Sequence, residues 1–255
     1  MRRIHRLTLL IFLLIAFLLA GCANAQAPAL PKGFVYVTDV IPDVILEIRY
    51  YSTYNFVGAR IYTYDDPVAI LAEEAADMLK KVSDSFRKQG YIIKIFDCYR
   101  PQGAVDHFMR WGKDPNDILT KEYFYPDLDK ATEIDPNVTN TYIASTSGHS
   151  RGYVVDLTIV NMKTGKEVDM GSPFDFFGPL SDHRYGNRGN PEENKLTQEH
   201  KDNRAFLAKE MEAAGFARYN AEWWHYSVPG RTSNTLYPIQ TFPVKLEAVT
   251  AWPAP

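Results

Sequence analysis

The chain has 255 residues, with 28 basic against 31 acidic side chains and a net charge of -3. Hydrophobic residues make up 45% and charged residues 23%, which excludes wholesale disorder, and without a basic excess nucleic acid is not the partner to look for. Two cysteines exclude a disulfide-built scaffold or a cysteine-built metal cluster.

Met1 to Gly21 reads as an export signal. Arg2, Arg3 and Arg6 precede an apolar run from Leu7 to Ala20, too short for the roughly 20 residues of a membrane span. Leu19-Ala20-Gly21-Cys22 resembles a bacterial lipoprotein box, which makes Cys22 the lipidated first residue of the mature chain. Plain secretion, with cleavage after Ala25 or Ala27, is the alternative. Either way the expected location is outside the cytoplasm, and the only membrane attachment is the lipid. The signal carries three basic residues and no acidic one, so its removal takes the net charge from -3 to -6. Residues 22–33 read as a tether, and 34–255 as one catalytic domain.

Phe34 to Tyr51 suggests short strands broken at Pro42. Val68, Leu71, Ala72, Ala75, Leu79, Val82 and Phe86 recur at helical spacing. That pattern predicts a helix over Pro67 to Gln89, capped by Asp66, opened by Pro67 and ended by Gly90. Tyr91 to Phe96 reads as a buried strand, and Pro101 opens a second helix to about Trp111. Lys113 to Asn140 is polar, contains three prolines and reads as a long loop of the lid kind. Tyr153 to Val160 is a strand, with a turn at Asn161 to Lys166 into a partner strand at Glu167 to Met170. Asp182 to Glu199 is a polar loop. About Asp202 to Ala214 is a helix ended by Gly215, and Phe216 to Val228 returns as strands. Without regular βαβ alternation, the expectation is a single α+β domain: a central, mainly antiparallel sheet packed by helices, its site on the sheet and adjoining loops.

Two segments carry chemistry. Ser147-Gly148-His149-Ser150-Arg151-Gly152-Tyr153-Val154-Val155-Asp156 and Glu222-Trp223-Trp224-His225-Tyr226 together offer two imidazoles and two carboxylates. Two His and one Asp are a natural three-ligand zinc set with a fourth position left for water, and a second carboxylate can take that water's proton. His149 and Asp156 are seven apart, so on one regular strand they point to opposite faces. His149 therefore belongs in a loop that folds back beside Asp156. Glu222 and His225, three apart in strand-like composition, need a turn or bulge between them.

The pattern Ser147-x-His149-x-x-Gly152-x-Val154-x-Asp156 with Glu222-x-x-His225 resembles the zinc D-alanyl-D-alanine metallopeptidases, and within them the D-alanyl-D-alanine dipeptidases. Asp97-Cys98-Tyr99-Arg100-Pro101 and Met170-Gly171-Ser172-x-Phe174-Asp175-Phe176 extend the resemblance, which runs from about Ile48 to Val244. It implies one zinc per chain on His149, Asp156 and His225. It implies Glu222 as general base and Arg100 on the oxyanion. Asp175 would hold the ammonium of a small D,D-dipeptide, with Ser147 and Tyr54 lining the pocket. Gly148 replaces a serine common in the resistance enzymes, and Val154 stands where the wider group has Ala. The expected reaction is hydrolysis of D-Ala-D-Ala to two D-Ala. The alternatives are a D,D-carboxypeptidase acting on peptidoglycan stems and a non-catalytic zinc module. His107, His183, His200 and Cys98 complete no ligand set and read as structural.

Overall fold

The computed structural model describes residues 30–137, 142–183, 196–231 and 234–246. The signal, Cys22 and most of the tether lie outside the described residues, as do 138–140 of the expected lid loop and 184–195 of the polar loop after Asp182.

Strand β1 (Phe34–Tyr36) runs into a one-turn helix α1 (Val37–Val40), followed by β2 (Ile45–Leu46) and a 3-10 turn at Arg49–Tyr51. Strand β3 (Ile70–Ala72) pairs antiparallel with β1, Phe34 opposite Ala72. Helix α2 therefore spans Glu73–Lys88 and starts later than its apolar spacing predicts. Ile70 to Ala72 share that spacing but are claimed by β1. Asp66 caps nothing: its Oδ2 accepts the Leu246 N–H at 2.8 Å. Glu73 and Glu74 open α2 and Arg87 and Lys88 close it, which suits the helix dipole. Ala75, Leu79, Val82 and Phe86 form its buried stripe, and Gly90 stops it at φ 87°.

Next come β4 (Tyr91–Asp97), α3 (Gln102–Lys113), α4 (Lys121–Phe124), β5 (Val154–Asn161), α5 (Gln198–Ala213), β6 (Ala217–Arg218) and β7 (His225–Ser227). The main sheet has the order β2-β4-β5-β7-β6, with only the β2–β4 pair parallel. This is the α+β, mainly antiparallel arrangement expected. β5 is its centre and is buried along nearly its whole length, as its run of Val, Leu and Ile requires. Tyr91 and Phe86 pack on Phe206 of α5 at 5.4 and 5.3 Å between ring centres, joining sheet and helices.

Two further expectations are corrected. Glu167 to Met170 makes a single bridge, Val160 to Glu167, and no strand. The chain leaves the sheet there because the Met170 carbonyl is taken by Arg204 at 2.6 Å. Lys113 to Asn140 is not a plain polar loop: it contains α4 and a π-turn at Lys130–Ile134. It also buries Phe124, Tyr125 and Ile134. Phe56, Phe108 and Trp111 form the aromatic cluster this segment joins, with Phe56 4.8 Å from Phe108 and 5.0 Å from Trp111.

The sheet is interrupted at one informative point. Ile95 faces Leu157 and Asp97 faces Asp156, so two steps along β4 match one along β5. This bulge turns Asp97 away from the face of Ile93 and Ile95 and onto the face of Asp156. Just before β5, Gly152 holds φ 78°, and its carbonyl accepts the Ala72 N–H at 2.9 Å. A Cβ at that position would run into the Phe34 ring. Gly152→Ala is expected to cost about 1–3 kcal/mol of stability, measured by urea unfolding. An unchanged midpoint would contradict the requirement for glycine.

Candidate metal centre and surrounding cavity

His149 sits in a 3-10 turn, Gly148–Arg151, whose first cap is Ser147: its Oγ accepts the His149 N–H at 3.2 Å. The turn closes with the Gly152 N–H on the His149 carbonyl at 2.9 Å. This is the fold-back that the spacing to Asp156 demands. The His149 ring is 1% exposed, and its Nδ1 lies 2.7 Å from the Cys98 carbonyl. A carbonyl only accepts, so Nδ1 carries the proton and Nε2 is left with its lone pair.

His225 opens β7 directly opposite Asp156. The chain reaches it through a tight turn, with the Glu222 N–H on the Tyr219 carbonyl at 3.2 Å and the His225 N–H on the Glu222 carbonyl at 3.3 Å. This turn between Glu222 and His225 brings both side chains to one side. The donor atoms then converge. His149 Nε2 is 3.3 Å from Asp156 Oδ2, His225 Nδ1 is 3.2 Å from Asp156 Oδ1, and the two ring nitrogens are 3.4 Å apart. Glu222 Oε2 stands 3.3 Å from His225 Nδ1, with its side chain half-exposed.

These spacings suit a metal ion. Ligands about 2.0–2.1 Å from a tetrahedral zinc lie about 3.3 Å from one another. Asp156 Oδ1 is buried without a hydrogen bond, an oxygen still able to take a cation. The electrostatics agree. Burial pushes the His225 pKa down, yet Asp156 and Glu222 outweigh it and hold the ring up at about 10. Burial alone would raise the Asp156 carboxyl, but His149 and His225 keep it well below the carboxylate range. The site draws in positive charge from both directions.

A cavity of about 260 Å³ opens on these groups, below the roughly 300–1,000 Å³ of drug-sized ligand sites. Arg100, Asp175, Ser147 and Glu222 share its wall. Arg100 Nε donates to Asp97 Oδ2 at 2.9 Å, and its guanidinium lies 4.9 Å from the Tyr50 ring centre and 5.2 Å from that of Phe108. Asp175 is 5% exposed with φ 64°, a left-handed conformation unusual for a side-chain-bearing residue. Tyr50 donates to its Oδ1 at 3.0 Å, and its Oδ2 is buried with no hydrogen bond. Burial and the nearby Asp156 raise the Asp175 pKa well above the usual range.

Tyr54 is the one expected pocket residue that the structure keeps out. It is 46% exposed, lies over Arg49 at 4.0 Å and pairs its hydroxyl with that of Tyr123 at 2.5 Å. The 3-10 turn at Arg49–Tyr51 directs Tyr50 inward instead, and Tyr50 lines the cavity. Asp97 is a residue of the site to which the sequence motifs attach no role. That carboxylate accepts Tyr64 Oη at 2.6 Å as well as Arg100, and lies 3.4 Å from His149 Nδ1. Its signal was present in Asp97-x-x-Arg100 at a strand end. Tyr50 left no comparable mark.

The profile of the D-Ala-D-Ala dipeptidase family matches residues 31–245. A D-alanyl-D-alanine dipeptidase of Enterococcus faecalis is 37% identical, over 77% of this chain and 92% of that protein. Its counterpart from Enterococcus faecium is 36% identical over 76% and 90%, and one from Streptomyces coelicolor is 32% identical over 76% and 91%. The chain belongs to the D-Ala-D-Ala dipeptidase family.

Purified protein is expected to retain about one zinc per chain by elemental analysis. His149→Ala, which removes the donor held by Cys98, should retain nearly none. Full retention in that variant would remove His149 from the ligand set.

Proposed function

We propose that the chain hydrolyses the dipeptide D-Ala-D-Ala to two D-Ala, with zinc held by His149, Asp156 and His225. One observation supports the substrate reading: Asp175, a strained carboxylate with a buried oxygen that has no hydrogen bond, lines the same small cavity as the metal donors. A free dipeptide brings the ammonium that such an oxygen requires, and backbone strain of this kind concentrates at functional sites.

Bound at the three donors, zinc supplies Lewis acidity and lowers the pKa of water towards about 7. Glu222 takes the proton of the attacking water and returns it to the leaving amine, a role supported by its carboxylate bordering both the donor cluster and the cavity. Arg100, on the cavity wall, is the oxyanion stabiliser. Asp97 and the Tyr50 ring fix its planar fork in advance, and a preorganised donor of this sort is worth about 2.7–4 kcal/mol. Ser147 serves the reaction by capping the turn that carries His149. Tyr50 holds Asp175 by its other oxygen.

The localisation is part of the same proposal. The basic and apolar leader from Met1 to Gly21, directly before Cys22, supports export and lipid anchoring, and an enzyme so placed meets D,D-dipeptides released by wall turnover. Its role is then salvage of D-Ala.

Glu222→Ala should keep its zinc and lose about 10²–10⁴-fold in turnover of D-Ala-D-Ala. Near-full activity would remove Glu222 from the proton transfer. Mass spectrometry of the mature N-terminus should find a lipid-bearing Cys22, and an intact Met1 would overturn export.

A further inference from the structure

Arg204 lies on α5, away from the cavity wall, and is 1% exposed. Burying a guanidinium is costly unless its donors are satisfied. Arg204 spends them on a single stretch of chain. Nε donates to the Met170 carbonyl at 2.6 Å, Nη2 to Ser172 Oγ at 3.2 Å and Nη1 to the Asp182 carbonyl at 3.1 Å. Those three acceptors bracket Asp175. The rigid fork therefore clasps both ends of the segment that presents Asp175.

The clasp is also tied to the segment that carries Glu222. Ser172 Oγ accepts Trp223 Nε1 at 3.0 Å, and the Trp223 N–H donates to the Ser181 carbonyl at 3.0 Å. Trp223 adjoins Glu222. Asp175 itself sits at φ 64°, a conformation that needs its surroundings to hold it. Within the segment, Ser181 Oγ donates to the Phe176 carbonyl at 2.6 Å, so the residue after Asp175 is fixed to the same frame.

We propose that Arg204 is a positioning residue that sets where the Asp175 carboxylate meets the substrate ammonium. It touches no substrate; it acts through Ser172 and the backbone on either side of Asp175. This rests on the reading of Asp175 as the ammonium anchor.

The test is a double-mutant cycle on the zinc-loaded enzyme. Arg204→Lys should raise KM for D-Ala-D-Ala about 10-fold, with kcat within about 3-fold and zinc content unchanged. A merely structural role would shrink the active fraction, lowering kcat and leaving KM alone. In an Asp175→Asn background, Arg204→Lys should add less than about 2-fold in kcat/KM, because the group it positions is already lost. Ser172→Ala, which deletes one hydroxyl, should move KM in the same direction by a smaller factor. It decides the matter if Arg204→Lys does not fold. An unchanged KM in both variants, or additive effects in the cycle, overturns the positioning role. If Asp175→Asn alone leaves kcat/KM intact, the ammonium reading fails and Arg204 has nothing to position.

Discussion

The carboxylate of Asp156 is 2% exposed at the centre of the main sheet, and the rest of the site is arranged around it. A buried carboxylate persists only beside positive charge and hydrogen-bond donors, because its effective desolvation costs several kcal/mol. The register of the sheet supplies neighbours on both sides. Asp97 of β4 and His225 of β7 stand directly opposite Asp156, one on each flank. The row is thus acid, acid, imidazole across three strands. Arg100 answers the first acid at 2.9 Å and lies 3.6 Å from the second. His149 enters from the turn before β5 and completes the donor set.

That row exists only because β4 carries a bulge. With regular pairing, Asp97 would fall on the face of Ile93 and Ile95, among the packed apolar side chains. One extra residue at Ile95 to Asp97 transfers it to the face of Asp156. There it orients Arg100 and approaches the outer nitrogen of His149. The fold thus keeps an irregularity between two interior strands of its main sheet to support charged groups, whose own geometry then governs the cavity. Asp175 shows the same pattern from a loop: strain and burial coincide at a residue of the cavity wall.

Much of this was legible in the sequence because the chemistry is dense and local. The odd spacing from His149 to Asp156 and the three-residue step from Glu222 to His225 both demanded turns, and turns are found at 148–151 and 219–225. The long amphipathic helix and the buried strand were readable from their periods. What escaped depended on pairing between distant segments. Ile70 to Ala72 fit a helix until β1 claims them. Glu167 to Met170 fit a strand until Arg204 claims Met170. Tyr50 and Tyr54 are indistinguishable in sequence, and only the 3-10 turn decides which faces the cavity. The bulge at Asp97 leaves no trace in composition, since it arises from how β4 meets β5.

Asp156 of β5 and His225 of β7, with His149, are proposed to hold one zinc ion at the centre of the reaction site. Anomalous diffraction from crystals of the protein as purified, recorded on both sides of the zinc absorption edge, tests it directly. The account predicts a single strong peak bounded by His149 Nε2, the Asp156 carboxylate and His225 Nδ1, appearing only above the edge. A zinc peak ligated elsewhere, or clear density at these three donors with no edge-dependent peak, would contradict it.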